Sequence, residues 1–237
     1  MDEAFNILQD DAEQGAAVTA ERWRRLGALA NGIDTTRALT AYEAAFRLQP
    51  GDFWICIELA RLYRQAGNLP GALKAAEAGE KAARTEREQS VAATEMGQVL
   101  ADMGELGQAL EAYDLALVAD KSIASTNPQN TEAQRDLSVS HNKVGDVQVA
   151  QGDLAGALVS YRARHAIAER LAASDASHAG WQRDLIVSYA KLGEMEPGAG
   201  WWAKGLAVAE AMVAKGTLAP RDAGIPDYLR EKAAADQ

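Results

Sequence analysis

The sequence has too little of several components that common classes of protein require. Cys56 is its single cysteine, so no internal disulfide can form. No apolar run approaches the roughly 20 residues that a membrane-spanning helix needs, and the N-terminus Met1-Asp2-Glu3-Ala4 lacks the basic and apolar segments of a secretory signal. These absences favour a soluble cytoplasmic protein that does not enter a membrane.

Basic residues and proline are also scarce. The 24 Lys and Arg residues face 34 Asp and Glu residues, and the resulting net charge of −10 would repel a phosphate backbone, so nucleic acid is not an expected partner. Alanine is abundant, only six residues are proline, and 48% of the residues are hydrophobic. This composition favours an all-α fold with a substantial core and argues against an all-β fold.

An internal repeat is visible in the second half of the chain. Gln134-Arg135-Asp136-Leu137 recurs 48 residues later as Gln182-Arg183-Asp184-Leu185. The same offset relates Gly97 to Gly145 and Gly193, and relates Tyr113 to Tyr161. A second glycine, Gly104 or Gly152, follows each of the first two by seven residues, where it is expected to end a helix. Each repeat is therefore predicted to be a pair of helices joined by a tight turn.

The first repeats carry a recognisable signature. Trp23-Arg24-Arg25-Leu26-Gly27 is followed by Ala38-Leu39-Thr40-Ala41-Tyr42 and then by Pro50. This pattern resembles the tetratricopeptide repeat, W-x2-L-G-x2-Y, then A-x3-F, then P, in which small residues let paired helices approach closely. The later spacing of 48 residues exceeds the family's usual 34, so these units look like long-helix variants, similar to the repeats of kinesin light chains. The resemblance implies an α-solenoid of about five hairpins in a right-handed superhelix.

The predicted domain organisation follows the repeats. Residues 1–18 are an N-terminal segment with one candidate helix over 3–14, residues 19–215 are the repeat array, and residues 216–237 carry a C-terminal capping helix. One of the adjacent residues Trp201 and Trp202 is expected to pack beneath that helix. The resemblance implies a bacterial-type array, which often follows an upstream effector domain, so residues 1–18 are either a natural cap or a remnant of a longer chain. The expected units are 19–51, 52–85, 86–128, 129–176 and 177–215, with helices near 19–30, 35–48, 52–66, 69–84, 86–103, 105–125, 130–151, 153–174, 179–195 and 200–215.

No arrangement of residues in the sequence predicts catalysis. His141, His165 and His178 lie on different elements without a second ligand at helical spacing, and Cys56 lies in an apolar helix where a buried thiol is expected. The glycines follow the repeat pattern and none belongs to a phosphate-binding loop. The sequence therefore predicts no enzyme activity, no metal and no cofactor.

The resemblance also implies a binding face. In this family the first helix of each pair lines a concave groove that holds a peptide or helix of a partner. Arg24, Arg61 and Arg64 with Trp54 favour an anchor for an acidic or C-terminal peptide, and reversing Arg61 and Arg64 to glutamate is predicted to abolish capture. The alternative is that these arginines are ordinary solvated positions. The groove positions projected from the family are Arg24, Asn31, Trp54, Arg61, Arg64, Gln65, Gln98, Asp102, Asn142, Lys143, Asp146 and Lys191.

Two functional interpretations remain at this point. The first is a non-catalytic scaffold that binds a protein or peptide partner through the concave groove. The second is a regulatory segment of a larger bacterial effector or signalling protein, which works by self-association into a homo-oligomer or by holding another domain. Fold alone does not decide between them.

Overall fold

The computed structural model describes residues 20–236. Within that range most residues are helical, and none of the described residues forms a strand. The helices of residues 20–236 are α1 Ala20–Ala30, α2 Thr35–Leu48, α3 Phe53–Gln65, α4 Leu69–Ala82, α5 Glu86–Asp102, α6 Leu106–Thr126, α7 Thr131–Gln151, α8 Leu154–Ser174, α9 Ala179–Met195, α10 Trp201–Ala214 and α11 Ile225–Ala235, with a 3₁₀ turn at Pro220–Asp222.

The helices form consecutive pairs, which confirms the all-α helical-repeat prediction. The predicted ends agree with the observed ends to within two residues, whereas the candidate helix at 3–14 lies outside the described residues. Helix starts follow local sequence: Asp34 and Asp52 accept hydrogen bonds from backbone amides of the first turn, and Thr85 forms a capping box with Glu88. Helices α7 and α8 have 21 residues each, against 11 and 14 in α1 and α2, so the longer spacing did lengthen both helices.

The chain divides into two compact units. Unit 1 ends at Ala119 and unit 2 begins at Asp120, so the division falls within α6. In unit 1, α1 packs on α2, α3 packs on α4, and α3 also contacts α5. In unit 2, α7 packs on α8, α8 and α10 both pack on α9, and α11 packs on α10.

A glycine facing an aromatic ring sets the distance between the two helices of a pair. A methyl group added at Gly97 would lie 2.7 Å from the Tyr113 ring, and one at Gly145 would lie 2.6 Å from the Tyr161 ring. Any side chain larger than hydrogen would force these helices apart, which confirms the role expected for the repeat glycines.

The last pair reaches the same contact by another route. The position of α10 that corresponds to Tyr161 is occupied by Ala209. Gly193 nevertheless faces a ring, because a methyl group added at Gly193 would lie 2.5 Å from Trp202 at the start of α10. Trp202 is buried, and α11 covers it with Tyr228 and Leu229. The expectation that the closing helix packs over one of the two tryptophans is therefore confirmed.

A turn that sequence reasoning missed completes the end of unit 2. Arg135 in α7 donates from Nε to Asp184 Oδ2 at 2.7 Å, so the arginine of one Gln-Arg-Asp-Leu motif binds the aspartate of the next. Arg183, its repeat equivalent, donates to Asp222 Oδ2 at 2.9 Å in the 3₁₀ turn. The turn thus supplies the carboxylate that a further repeat would have supplied.

Candidate functional site

The predicted binding residues of unit 1 lie on the first helices of successive pairs, α1, α3 and α5. On α3, Trp54, Arg61 and Gln65 are separated by seven and four residues, a spacing that places them on one side of the helix. Glu58 lies on that side as well. We call this surface of α1, α3 and α5 the first-helix face; its described charged and polar members are Arg24, Asn31, Glu58, Arg61, Arg64, Gln65, Glu95, Gln98 and Asp102.

Arg61 connects two first helices. Its Nε donates to Glu95 Oε1 at 2.7 Å across to α5, and one terminal nitrogen donates to Glu58 Oε1 at 2.8 Å within α3. Asn31, just after α1, donates to the other oxygen of Glu58 at 3.3 Å. Burial, the largest influence, lowers the pKa of Arg61, but the two carboxylates outweigh it and the pKa lies above its ordinary value. Arg61 is therefore a charged link that fixes the spacing of α3 and α5.

Arg64 is bound less completely. One terminal nitrogen is 3.2 Å from Asp102 Oδ2, and Gln98 donates to the other oxygen of Asp102 at 3.3 Å. The Nε of Arg64 is buried and has no hydrogen-bond partner among the described residues. A ligand could therefore reach this guanidinium only through its terminal nitrogens, on the exposed part of the side chain.

The end of the face near α1 carries a local ion-pair group. Arg24 lies 2.7 Å from Glu21, one turn earlier in α1, and Arg25 also contacts that carboxylate. Hydrogen bonds from Arg25 and then Arg24 lower the pKa of Glu21. Because all three side chains are well exposed, this group contributes little to stability.

Trp54 lies at the start of α3 with 47% of its surface exposed. Its ring meets the buried Phe53 edge to face at 4.9 Å between centroids. It borders an open cleft of about 530 Å³ between the loops that precede α3 and α5. The cleft is lined by Gln49, Gly51, Asp52, Phe53, Trp54, Ala82, Arg84 and Glu88.

In unit 2 the predicted residues gather around Asp146. Asn142 donates to its Oδ2 at 2.7 Å, while Tyr161 donates to Oδ1 at 2.7 Å and Lys191 lies 3.0 Å from Oδ1. Burial first and then the bond to Asp146 raise the pKa of Tyr161. The ammonium of Lys191 also lies 5.5 Å from the centre of the Tyr161 ring. Lys143 is on the same helix as Asp146 and is half-buried.

Within each unit the structure links several of the predicted residues, and it adds partners that the sequence did not identify. Glu58 and Glu95 hold Arg61, and Tyr161 holds Asp146 in addition to its packing role. The three-residue spacing of Glu58 and Arg61 could have indicated their pairing. Glu95 follows Arg61 by 34 residues, which is one usual repeat length. That spacing indicates a contact between the two side chains only when α3 is known to pack on α5.

Cys56, His165 and His178 contact neighbouring groups of the helical framework. Burial raises the pKa of the Cys56 thiol to about 11, and the thiol lies 3.6 Å from the carbonyl of Pro50. His178 accepts a hydrogen bond at the start of α9 and stacks on Trp181, while His165 bonds Ser188. Among residues 20–236 no cluster of His, Cys, Asp or Glu could hold a metal ion, and no described helix is long and apolar enough to cross a membrane.

Comparisons with known proteins agree with the helical-repeat fold. The family model described as tetratricopeptide repeat matches residues 28–94. A search of curated proteins found no match. Among solved structures, BtubC (BKLC) from P. vanneervenii is 15% identical with a TM-score of 0.64, over 89% of each chain. The apo form of RapI is 15% identical with a TM-score of 0.62, over 83% of this chain and 72% of that one.

A third likeness extends over almost the whole chain. The MamA protein is 17% identical with a TM-score of 0.50, over 92% of this chain and 98% of that one. At these identities the likenesses establish the fold and not a shared function. The family match over residues 28–94 and the structural likenesses together show a helical-repeat fold of the tetratricopeptide type.

Proposed function

We propose that the chain is a non-catalytic scaffold that binds a peptide or helix of a partner protein on the first-helix face of unit 1. Repeats of this type typically mediate protein–protein interaction. The observation that carries the proposal is a row of hydrogen-bonded polar side chains, most of them at least partly exposed, at the end of α1 and on α3 and α5 beside the exposed Trp54. Tryptophan and arginine are the residues most enriched where binding energy concentrates.

The ion pairs within the row prepare it for binding. Arg61 and Arg64 are held by carboxylates on α3 and α5, so a partner would not have to order these long side chains at binding. Arg64 is bound by one carboxylate, whereas Arg61 is bound by two. We therefore assign direct contact with an acidic group to Arg64, and assign Arg61 to the support of the face.

This assignment sharpens the choice of variants. Reversing Arg61 to glutamate would place a third carboxylate beside Glu58 and Glu95 and would damage the face itself. Arg64→Gln removes the charge but keeps a similar shape, and Trp54→Ala removes an exposed ring. Leu115→Ala, at a residue of α6 that is also well exposed, is a matched control for the loss of surface apolar area.

The test is affinity capture from a lysate of the source organism with the full chain. We expect the wild type and Leu115→Ala to retain the same foreign protein, and both Arg64→Gln and Trp54→Ala to lose most of it. The proposal is wrong if all four proteins retain that partner equally. Retention of only further copies of the chain would support the regulatory or self-association interpretation instead.

A further inference from the structure

A second cleft lies on the opposite side of α3 from the first-helix face. It occupies about 240 Å³ between α2 and α4, with α3 beneath it. Tyr63 and Arg61 are two residues apart on α3, and at about 100° per residue their side chains point about 160° away from each other around the helix axis. The cleft is lined by Glu43, Phe46, Arg47, Leu59, Tyr63, Gly71, Lys74 and Ala75. It therefore shares no residue with the surface proposed above.

The floor of this α2–α4 cleft is apolar. Leu59 and Ala75 are buried, and Phe46 and the ring of Tyr63 pack against the same core cluster. The volume is below the range usual for sites that enclose a free small molecule, but it suffices for one leucine or phenylalanine side chain. A side chain of a longer ligand fits the cleft better than an isolated metabolite does.

The rim of the cleft is cationic. Arg47 and Lys74 are both exposed, and neither forms a hydrogen bond or ion pair with another residue of the described range 20–236. Glu43, the one carboxylate of the lining, accepts a hydrogen bond from the Tyr63 hydroxyl at 2.8 Å. Burial and that bond raise the pKa of Tyr63 to about 12, so the hydroxyl remains a donor to Glu43. Two cations are thus left to bind an anionic group above an apolar floor.

We propose that the α2–α4 cleft binds a segment of a partner protein in which a large apolar side chain is followed by a carboxylate. The apolar side chain occupies the floor formed by Phe46, Leu59 and Tyr63, and the carboxylate lies between Arg47 and Lys74. Charge complementarity selects this occupant, because a neutral apolar segment would leave both cations unused and a basic segment would be repelled. The site is independent of the first-helix face, so either proposal can fail alone.

The test is titration of the ¹⁵N-labelled full chain with the peptide N-acetyl-Phe-Glu-amide, followed by NMR of the backbone amides. We expect saturable shifts of residues in α2 and α4 around the cleft. Lys74→Gln and Arg47→Gln should each weaken binding by roughly tenfold, as expected for the loss of a charge-assisted contact. Lys81→Gln should not change the affinity, because Lys81 is exposed two turns further along the same side of α4 but lies outside the cleft lining.

The neutral peptide N-acetyl-Phe-Gln-amide provides the matched ligand control and should also bind about tenfold more weakly. The proposal is overturned if no saturable shifts occur, if the neutral and acidic peptides bind equally, or if the shifts centre on Trp54 and α5. Circular dichroism of each variant would verify that the exposed substitutions leave the helices intact.

Discussion

The two units fill the same kind of helix pair with different interiors. In unit 1, α3 buries a nearly continuous apolar series that includes Ile55, Ile57 and Leu62. Unit 2 buries many more polar side chains, which are Asp120, Gln134, Ser138, Ser140, Ser160, Arg164, Ser188 and Asp222, whereas the described part of unit 1 buries Ser90 and Glu95. The hairpin geometry therefore depends on helix spacing and not on one type of core.

Unit 2 can hold polar groups inside because most of them are bonded. Gln134 donates to the Ala124 carbonyl at 3.2 Å, and its repeat equivalent Gln182 donates to the Ala172 carbonyl at 2.9 Å. Ser140 donates to the Asp120 carboxylate. Arg164 is only partly bonded: one terminal nitrogen donates to the Asp184 carbonyl at 3.3 Å, and the other is buried without a partner in the described structure. Buried polar groups cost little when paired and much when unpaired.

The largest effect is expected in the apolar interior of unit 1. Leu62→Ala removes a side chain that is 1% exposed, and should lower the free energy of unfolding by about 3 kcal/mol through lost burial and the remaining cavity. Leu115→Ala in the same unit, at an exposed position, should change it by less than about 0.5 kcal/mol. Urea denaturation measures both; equal effects would show that the core is not where unit 1 gains its stability.

Substitution of the glycine in the glycine-to-ring contact should destabilise both units equally. Gly97→Ala and Gly145→Ala place a methyl group 2.7 and 2.6 Å from the rings of Tyr113 and Tyr161, and each should cost about 2 kcal/mol through overpacking. Hydrogen exchange of the helices that flank each site would report the two losses separately. A loss confined to one unit would contradict a common spacing rule.

Replacing Arg164, the buried cation of unit 2, should raise the free energy of unfolding instead of lowering it. Arg164→Met introduces the residue type found at the position 48 residues later, Met212. It should raise the free energy of unfolding by about 1 to 2 kcal/mol, because it removes a buried guanidinium that has one unbonded terminal nitrogen and whose desolvation is the largest influence on its pKa. Arg61→Met in unit 1 should destabilise, since Glu95 would lose its partner. Thermal unfolding of both variants would test the contrast, and a destabilised Arg164→Met would refute it.

The smallest expected effect is the pH dependence of stability that arises from histidine. It should come from unit 2, which contains all three histidines. Ser188 donates its hydroxyl to the Leu185 carbonyl, so His165 must donate from Nδ1 at 2.9 Å to Ser188. Burial, the largest influence, lowers the pKa of His165, and Lys204 and Arg164 lower it further against the opposing effect of Glu169. The unfolded chain thus takes up this proton more readily, so stability falls as pH drops below about 6.5.

His165→Gln keeps a donor for Ser188 but cannot take up a proton in this range. Its unfolding midpoint should therefore fall less between pH 7 and pH 5 than that of the wild type, while the two proteins behave alike above pH 7. His141, whose pKa burial also lowers, keeps part of the dependence in the variant. Identical pH profiles would rule out His165 as a contributor.

Sequence reasoning predicted the helices well and their cross-contacts poorly. The ends of α7 and α8 follow from Asn130, Gly152 and Asp153, which are local signals. The contact of Gly193 with Trp202 did not follow, because the ring comes from a position nine residues downstream where earlier pairs use one 15 or 16 residues downstream. The pairing of Arg61 with Glu95 likewise depends on how neighbouring repeats pack, which no local pattern specifies.

The most direct test of the binding proposal is site-specific photocrosslinking of the full chain in cells of the source organism. A photoreactive amino acid at Gln65, exposed on the first-helix face, is compared with one at Val159, exposed on the second helix α8 of unit 2. We predict a crosslinked foreign protein from position 65 that disappears with Arg64→Gln and is not obtained from position 159. The same crosslink from both positions, or one that Arg64→Gln leaves unchanged, would contradict the account.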